Sequence, residues 1–280
     1  MNELILIRYG ELALKSKKVR KRFEKRLQRN TQNALGSKAK VKLAYGRLFV
    51  ENVNKSDVLK NVFGIVSFSH CVVTEANMKD VLKLGLSVAK KQIKKGNSFA
   101  VKTNRVGRHD FTSEEVNREL GALIVEKLGN GVNLSNPDKK ISVDIRDSKA
   151  YVYTEVIKGP GGLPIGAEGK VAVLIENKDD LTLAYIALKR GCEIVPIFVG
   201  KKNIKWLKQL EKWSYGMVLN PETIKKKEYI EINKIIAKNS ALGLFTGEDK
   251  INPSNFKNLK KYVSVPIYRP LLCLSRNKRL

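Results

Sequence analysis

Cysteine and histidine are scarce in this sequence, and no stretch of it is long and apolar enough to cross a membrane. The three cysteines, Cys71, Cys192 and Cys273, are far apart with no CxxC pair, and the two histidines are His70 and His109. This pattern argues against a disulfide framework or a zinc site and favours a reducing compartment. No run approaches the roughly 18 apolar residues of a transmembrane helix, and the start lacks a basic signal-peptide region. The sequence therefore predicts a cytoplasmic protein with no membrane association.

Acidic residues are also scarce. The 280 residues include 27 Asp and Glu against 54 Lys and Arg, which gives a formal net charge of +27. A generally basic proteome can produce such a balance, but a surface of one sign repels itself unless it meets a polyanion, and nucleic acid is the obvious candidate. With 42% hydrophobic residues the chain can form buried cores, which excludes wholesale disorder. The length predicts two domains or three small ones.

Residues 1–62 form the first of three predicted segments, a βαββα unit. The apolar spacing predicts strands over 4–9, 40–45 and 47–50, with helices over 14–35 and 55–63. Opposite its apolar stripe, the first helix carries one acid, Glu24, and nine basic residues: Lys15, Lys17, Lys18, Arg20, Lys21, Arg22, Lys25, Arg26 and Arg29. A solvated helix face usually mixes the two signs, because i,i+4 pairs are stabilising. This face therefore indicates a polyanion partner.

Residues 63–165 and 166–280 form the second and third segments. In the second segment the patterns predict strands near 66–73, 99–105, 141–145 and 150–157, and helices over 78–94 and 112–128. It ends in a glycine-rich linker over 159–164. The third segment alternates, with predicted strands over 171–175, 194–199, 241–245 and 263–267 and helices over 180–189, 204–213 and 221–238. Unbroken apolar strands joined by crossover helices predict an α/β fold with a doubly wound parallel sheet.

The first turn after a strand in the third segment is where a doubly wound sheet would bind a ligand. This turn reads Glu176-Asn177-Lys178-Asp179-Asp180, with no glycine and with three carboxylates where phosphate charge would arrive. Glycines allow consecutive backbone N–H groups to close around an anion, and like charges oppose binding. The turn therefore indicates a capped helix start rather than a nucleotide site, and we expect no cofactor.

No catalytic residue stands out. Cys192 starts a strand after Gly191, which predicts a buried, inert thiol, and Cys273 has an apolar neighbourhood; neither has a histidine nearby to activate it. His70 and Cys71 are adjacent, so a strand would point them to opposite sides and they would not share a metal. Hydrolase and Walker-type motifs are absent. The sequence assigns no catalytic and no metal-binding residue and leans against an enzyme.

The candidate RNA-binding residues are eight basic side chains: Arg8, Lys18, Arg22, Arg47, Lys102, Arg105, Arg108 and Arg118. Lys102, Arg105 and Arg108 follow one strand and its exit loop, so we expect them to face one groove together. Arg47 follows Gly46 at a hairpin, where a small residue permits close backbone approach. Guanidinium groups bind phosphate in a bidentate geometry.

Three aromatic residues accompany these basic side chains: Tyr9, Tyr45 and Phe111. Aromatic rings beside basic residues can stack on unpaired bases. The alternative, that Tyr9 and Phe111 belong to the hydrophobic core, stays open at this point.

Residues 1–165 resemble the N-terminal half of the tRNA 4-thiouridine synthetases. The most specific match is 158–166, Lys-Gly-Pro-Gly-Gly-Leu-Pro-Ile-Gly, close to the family's K-G-x-G-G-L-P-x-G segment. The other matches are Ile7-Arg8-Tyr9-Gly10-Glu11, Lys15-Ser16, Gly46-Arg47, Asn117–Gly121, Asn136-Pro137-Asp138, Ala150–Ile157, Gly169-Lys170-Val171, Lys189-Arg190-Gly191 and Thr246-Gly247-Glu248. The resemblance implies a ferredoxin-like domain over 1–62, a THUMP RNA-binding domain over 63–165 and a Rossmann-like, PP-loop-derived domain over 166–280.

The sequence departs from that family at the ATP site. The family carries S-G-G-x-D-S, a PP-loop that holds ATP pyrophosphate for tRNA adenylation, whereas residues 176–180 lack both glycines and the serines. The resemblance places the family's acceptor cysteine beyond residue 280, includes no rhodanese-like extension, and transfers no sulfur-carrying role to Cys273. It thus implies an intact tRNA-binding half, in which the THUMP domain is associated with the acceptor stem and the 3′ CCA end, and a degenerate PP-loop.

Three functional hypotheses follow. The first is a non-catalytic protein that binds tRNA at the acceptor stem and 3′ CCA end, with a third domain used for packing, dimerisation or a partner. The alternative is a diverged tRNA-modifying enzyme, similar to the 4-thiouridine sulfurtransferases, that acts through an unrecognised site or with a partner protein. A regulatory small-molecule site at the carboxyl edge of the sheet is a third hypothesis.

Overall fold

A computed structural model describes residues 3–10, 16–53, 55–275, 277 and 279. Glu11, Leu14 and Lys15, predicted above as part of a motif and of the first helix, lie outside these residues. In chain order the elements are β1 (Glu3–Arg8), α1 (Lys17–Leu35), β2 (Lys40–Ala44), β3 (Arg47–Glu51), β4 (Ser67–Glu75), α2 (Met78–Gln92), β5 (Phe99–Val106), α3 (Ser113–Leu128), β6 (Lys139–Arg146), β7 (Lys149–Tyr153), β8 (Ile157–Lys158), β9 (Lys170–Ile175), α4 (Leu181–Lys189), β10 (Glu193–Val199), α5 (Ile204–Trp213), β11 (Glu222–Ile224), α6 (Tyr229–Lys238), β12 (Leu244–Phe245), α7 (Pro253–Tyr262) and β13 (Ile267–Tyr268).

These elements form two compact units, each assembled from separate stretches of sequence. The eight-strand unit comprises Met1–Arg8, Ala39–Asn54 and Ser67–Lys158, and the α/β unit comprises Tyr9–Lys38, Lys55–Val66 and Gly159–Leu280. The domain boundaries at 62/63 and 165/166 stay a prediction. Within the described ranges, no helix has the length and apolar character needed to cross a membrane. The cytoplasmic location also stays a prediction.

The eight-strand unit contains one mixed sheet in the order β2-β3-β1-β4-β7-β6-β5, with β8 paired to β4. β5 and β6 run parallel, and the other neighbours run antiparallel. The rings of Phe49 in β3 and Tyr151 in β7 stack with centroids 4.7 Å apart, although two strands separate β3 from β7. This contact shows that the sheet is strongly curved.

Alternation along each strand gives the sheet two different faces. On the concave face, Leu6, Phe49 and Cys71 pack with Tyr151 and Tyr153. On the opposite face, α2 and α3 cover a larger core that includes Phe99, Leu120 and Val143 from β5, α3 and β6. β5 is the last strand in the order, so the loop that leaves it lies at the edge of the sheet.

The local turn and cap predictions hold in this unit. Tyr45 and Gly46 both have positive φ, 50° and 69°, which is the two-residue hairpin turn that joins β2 to β3. Thr112 and Glu115 form a reciprocal capping box at the start of α3, and Gly129 ends that helix in the left-handed conformation.

The α/β unit contains a five-stranded parallel sheet in the order β11-β10-β9-β12-β13. Both faces are buried: Val171, Val173 and Ile175 of β9 pack on the α4 and α5 side, and Ala172 and Leu174 pack on the α6 and α7 side. The predicted doubly wound parallel sheet is confirmed.

The basic helix α1 belongs to the α/β unit. Its apolar stripe is buried at Phe23 and Leu27, and it also buries the polar residue Asn30. The Asn30 amide donates to the backbone carbonyl of Ile165 at 3.1 Å, in the linker that leads into β9. Arg26 is ion-paired with Glu193 at the start of β10, at 3.9 Å. The helix is thus fixed to the parallel-sheet unit by specific polar contacts.

Two helix predictions need correction, and one helix was not predicted. Residues 55–63 contain only a short 3₁₀ helix, Asp57–Asn61. The helix predicted over 221–238 starts at Tyr229, because Glu222–Ile224 forms β11 and pairs in parallel with β10. The β-branched pair Thr223-Ile224 favours the strand, which overrode the Asn220-Pro221 cap pattern. Helix α7 was missed, although Asn252 accepts a hydrogen bond from the Ser254 backbone N–H, as a cap before Pro253 would.

Candidate nucleic-acid interface

The loop that leaves β5 borders the cavity that we take as the candidate interface. It has a volume of about 660 Å³ and lies between this loop, the start of α2, the start of α3 and the β6–β7 turn. The side chains and backbone around it come from Ala76, Asn77, Met78, Arg108, His109, Asp110, Phe111, Glu115, Glu119, Asp147 and Ser148. Two helix N-termini therefore meet at one cavity, and the partial positive charge at such ends favours electronegative groups of a ligand.

His109 fixes the shape of this loop. Its Nδ1 lies 3.3 Å from Arg105 Nη1, and its Nε2 lies 2.6 Å from the backbone oxygen of Asp147. Because a guanidinium can only donate and a carbonyl oxygen can only accept, Nδ1 accepts from Arg105 and Nε2 donates to Asp147 in this arrangement. Gly107 has φ +112° and passes close to the His109 ring and the Asp147 backbone, a position that strongly favours glycine.

The charges around the cavity are mostly acidic. Arg108 is accompanied by Asp110, Glu115, Glu119 and Asp147. The pKa of Glu115 is lowered mainly by the hydrogen bond that its carboxylate accepts from the Thr112 backbone N–H, and also by the bond from the Thr112 hydroxyl. Both bonds favour the ionised carboxylate. Carboxylates repel phosphate but accept hydrogen bonds from hydroxyl and amino groups. The cavity therefore suits a ligand with one phosphate near Arg108 and with sugar hydroxyls or base amino groups near the carboxylates.

The structure separates the three residues predicted to share a groove. Arg108 is exposed beside the cavity, and Arg105 is half-buried against His109. Val101 packs with the helices on one face of β5. Neighbouring residues of a strand point to opposite faces, so Lys102 points away from the face that carries Val101 and Arg105. Arg118 is exposed on α3 at a different, largely apolar groove of about 710 Å³. His109 and Asp147 complete the loop, and sequence reasoning missed both in this role.

The remaining candidates lie elsewhere. Arg8 and Arg47 belong to adjacent strands, β1 and β3. Arg8 Nη1 donates to Ser69 at 3.1 Å, and its guanidinium lies 4.6 Å above the centre of the Tyr153 ring. Arg47 Nη1 donates to the carbonyl of Gly46 at 2.9 Å. Lys18 and Arg22 are exposed on α1, in the α/β unit. An RNA-binding role for all eight basic residues stays a prediction.

The three aromatic residues divide between core and surface. Tyr9 is buried and donates to Glu24 at 2.7 Å, and burial raises the pKa of its hydroxyl far above the usual range, so it is a core residue. Phe111 is half-buried, with its ring 5.5 Å from that of His109 at the cavity. Tyr45 is exposed, and its hydroxyl donates to Asp147 at 3.1 Å. Two aromatic rings therefore lie at or beside the cavity.

In the α/β unit, backbone N–H groups of the turn after β9 donate hydrogen bonds to side chains of the same turn. Backbone N–H groups of Glu176 and Asn177 donate to the Asp180 carboxylate at 2.8 and 3.0 Å, and that of Asp179 donates to the Asn177 side chain at 2.9 Å. This is the capped helix start that the sequence predicts. Burial raises the pKa of Asp180, whose second oxygen faces Gly247 without a hydrogen-bond partner.

Ion pairs surround the same turn. Lys227 pairs with Glu176 at 2.7 Å, and Arg279 lies 3.1 Å from Asp179. Arg269 pairs with Glu248 at 3.2 Å, after β12. Among the described residues, no group of three or more His, Cys, Asp or Glu side chains could hold a metal ion.

The cysteines differ in exposure, which predicts an order of reaction with iodoacetamide at about pH 8. Cys71 is buried, and burial raises the pKa of its thiol to about 12. Burial also raises the pKa of the half-buried Cys192, whereas Cys273 is exposed. We expect Cys273 to be alkylated first, Cys192 slowly, and Cys71 only on unfolding. Peptide mass spectrometry over time measures the order; early labelling of Cys71 in the folded protein would contradict the packing described.

Comparison with known families agrees with this architecture. The profile of the ThiI ferredoxin-like domain matches residues 4–69, and that of the THUMP domain matches residues 75–155. A Pyrococcus horikoshii protein of known crystal structure superimposes with a TM-score of 0.86 at 30% identity, over 99% of this chain and 96% of that one. A 4-thiouridine synthetase, crystallised with RNA and bound ATP, superimposes with a TM-score of 0.82 at 26% identity, over 99% of this chain and 83% of that one.

The fold and the two domain matches define a THUMP-domain protein with a ferredoxin-like domain and a parallel α/β unit. A probable tRNA sulfurtransferase of Methanocaldococcus jannaschii is 32% identical, over 98% of this chain and 85% of its own length. The chain belongs to the tRNA sulfurtransferase family, as the resemblance predicts. A probable tRNA sulfurtransferase of Methanobrevibacter smithii is 40% identical over 82% of this chain, and the match spans 65% of that relative's length.

Proposed function

We propose that this protein binds tRNA at its 3′ end and takes part in forming 4-thiouridine, with the THUMP part of the eight-strand unit as the binding site. Family membership and the THUMP match support tRNA as the partner. The names of the relatives favour a modifying role over binding alone. The observation that carries the proposal is the cavity at the end of β5, where Arg108, an aromatic pair and several carboxylates meet.

The cavity matches the chemistry of a terminal nucleotide. The last ribose of an RNA strand has free 2′ and 3′ hydroxyls, which can donate hydrogen bonds to carboxylates such as that of Glu119, while Arg108 can bind the preceding phosphate. The rings of Phe111 and His109 offer a surface on which an unpaired base can stack. Duplex RNA would not present these groups together, so the site favours a single-stranded 3′ end such as CCA.

Turn 176–180 does not fit the pyrophosphate of ATP. Three of its backbone N–H groups already donate hydrogen bonds to side chains of the turn. The turn also carries the carboxylates of Glu176 and Asp179. Phosphate oxygens would have to displace the Asp180 carboxylate from these N–H groups and approach Glu176 and Asp179, whose cationic partners Lys227 and Arg279 are already engaged. We therefore assign no adenylation step to this turn, and the modifying activity requires a nucleotide site elsewhere or on a partner protein.

A second candidate function is tRNA binding with no modifying role. The closed turn 176–180 is the observation that favours it. Both candidates predict tRNA binding, so they differ only in whether modification depends on the protein.

Nucleoside mass spectrometry of tRNA from cells lacking the gene separates these two candidates. Loss of 4-thiouridine, restored by the wild-type gene but not by an Arg108→Ala copy, supports the modifying role. An unchanged level of 4-thiouridine supports tRNA binding with no modifying role. Calorimetric titration with ATP and magnesium, with and without tRNA, then shows whether the chain binds the nucleotide itself.

A further inference from the structure

The basic charge of the chain is not concentrated in the THUMP region. Residues 63–165 contain 16 Lys and Arg against 11 Asp and Glu, a net +5, whereas residues 166–280 contain 22 against 11, a net +11. The cavity at the end of β5 thus lies in the least basic part of the sequence. Residues 1–62, with 16 against 5, also have a net +11, so the two larger charge excesses lie outside the THUMP region and need a separate explanation.

Helix α5 presents an unpaired row of lysines. Lys205, Lys208 and Lys212 are all exposed, and their spacing places them on one side of the helix. The buried side is formed by Leu210 and Trp213. Within the described part of the chain, none of the three lysines pairs with a carboxylate. Like charges at this spacing destabilise a helix, so the row has no stabilising role of its own.

A similar row runs along α1, in the same unit. Its members are exposed and have no ion pair among the described residues: Lys18, Lys21, Arg22, Lys25 and Arg29. By contrast, Arg20 and Arg26 on the flanks of the helix pair with Glu24 and Glu193. From Lys18 to Arg29 the row extends about 16 Å at 1.5 Å per residue.

Packing brings α1 and α5 together although they are far apart in sequence. Gly216 follows α5 with φ +105°, and a β-carbon there would overlap the side chain of Asn30 in α1. Asn30 is fully buried and hydrogen-bonded to Ile165, so this contact is fixed. Because Asn30 lies in the C-terminal half of α1 and Gly216 follows the end of α5 by three residues, the C-terminal parts of the two helices lie close together.

We propose that these two rows form a single surface, the α1–α5 basic surface, that binds the phosphate backbone of duplex RNA. The proposal rests on the proposed function, since it gives tRNA a second contact, on the α/β unit. Phosphate neutralisation needs cations in rows and no pocket, and it carries no sequence specificity. The surface would hold the base-paired body of the tRNA, whereas the cavity at the end of β5 reads the 3′ end.

The test neutralises the α5 row and measures RNA affinity against salt. The variant is Lys205→Gln/Lys208→Gln/Lys212→Gln. Its matched control, Lys257→Gln/Lys260→Gln/Lys261→Gln on α7, removes the same charge from exposed positions of the same unit. The control helix packs through Leu259 on the other face of the parallel sheet. Equal thermal unfolding midpoints establish that both variants fold.

We expect the α5 variant to bind intact tRNA and tRNA lacking CCA about tenfold more weakly at about 0.15 M salt. Its slope of log K against log salt should be shallower by up to about 2.7, which is 0.9 per lost phosphate contact. The α7 control should keep the wild-type slope. Equal behaviour of the two variants would overturn the α1–α5 basic surface and leave tRNA binding intact. Binding of the wild type to phosphatidylserine vesicles that depends on the α5 row, with RNA affinity unchanged, would assign the surface to membranes instead.

The two proposals fail in different ways. If the proposed function is wrong, the wild type itself shows no preference for tRNA with CCA. If only the α1–α5 basic surface is wrong, that preference persists and the α5 variant matches its control.

Discussion

Gly162→Ala is expected to destabilise the α/β unit by more than about 3 kcal/mol, because backbone strain and steric overlap add. Gly162 has φ +73°, and a β-carbon there would overlap the backbone oxygen of Lys189 at the end of α4. That oxygen accepts the Leu163 N–H at 2.9 Å, so the substitution also disturbs a hydrogen bond between the linker and α4. The left-handed conformation adds about 1–2 kcal/mol for a residue with a side chain. Urea unfolding followed by tryptophan fluorescence is a direct measure, since Trp206 and Trp213 both lie in this unit.

Gly161→Ala is the matched control. Gly161 has a similar φ, +68°, but nothing lies within 4 Å of its would-be β-carbon. Only the conformational cost applies, so we expect a loss of about 1–2 kcal/mol. Equal losses for the two variants would show that the overlap with Lys189 is relieved without cost and that the linker is not fixed as described.

Arg108→Ala is expected to weaken the binding of intact tRNA by about tenfold to a hundredfold. A hydrogen bond to a charged group contributes about 1.5–3 kcal/mol, and Arg108 is the one cationic side chain among the described residues that line the cavity. The variant should bind tRNA lacking CCA as the wild type does, because that RNA does not reach the cavity. Competition binding at about 0.15 M salt measures both affinities.

Lys83→Ala provides the charge control for this prediction. Lys83 is exposed on α2 in the same unit, outside the cavity. Its loss should change tRNA affinity less than twofold if the long-range field of one charge is screened. An equal effect of Arg108→Ala and Lys83→Ala would mean that net charge, not the cavity, sets the affinity.

Most of the fold follows from local sequence patterns. Helix α5 was predicted over its full range, and the Thr112 capping box and the Gly129 terminator were correct because short-range chemistry determines them. The 221–238 region was wrong because β11 depends on pairing with β10, a long-range contact that periodicity does not report. The assignment of α1 to the α/β unit likewise depends on the buried contacts of Asn30.

The candidate site was harder to predict than the fold. Sequence reasoning selected Arg108 and Phe111 from the basic loop, but it placed Lys102 with them against the alternation of the strand. It missed His109 and Asp147, which meet only because the β6–β7 turn lies beside the β5 exit loop. The signal available was Gly107, a glycine where the chain needs positive φ and passes close to another turn.

The most direct test of the account is competition between intact tRNA and the same tRNA lacking its 3′ CCA for the wild-type protein, at about 0.15 M salt. The cavity at the end of β5 predicts at least tenfold weaker binding without CCA, about 1.4 kcal/mol. Equal affinity for the two RNAs would contradict recognition of the 3′ end and leave the positive charge as a non-specific attraction.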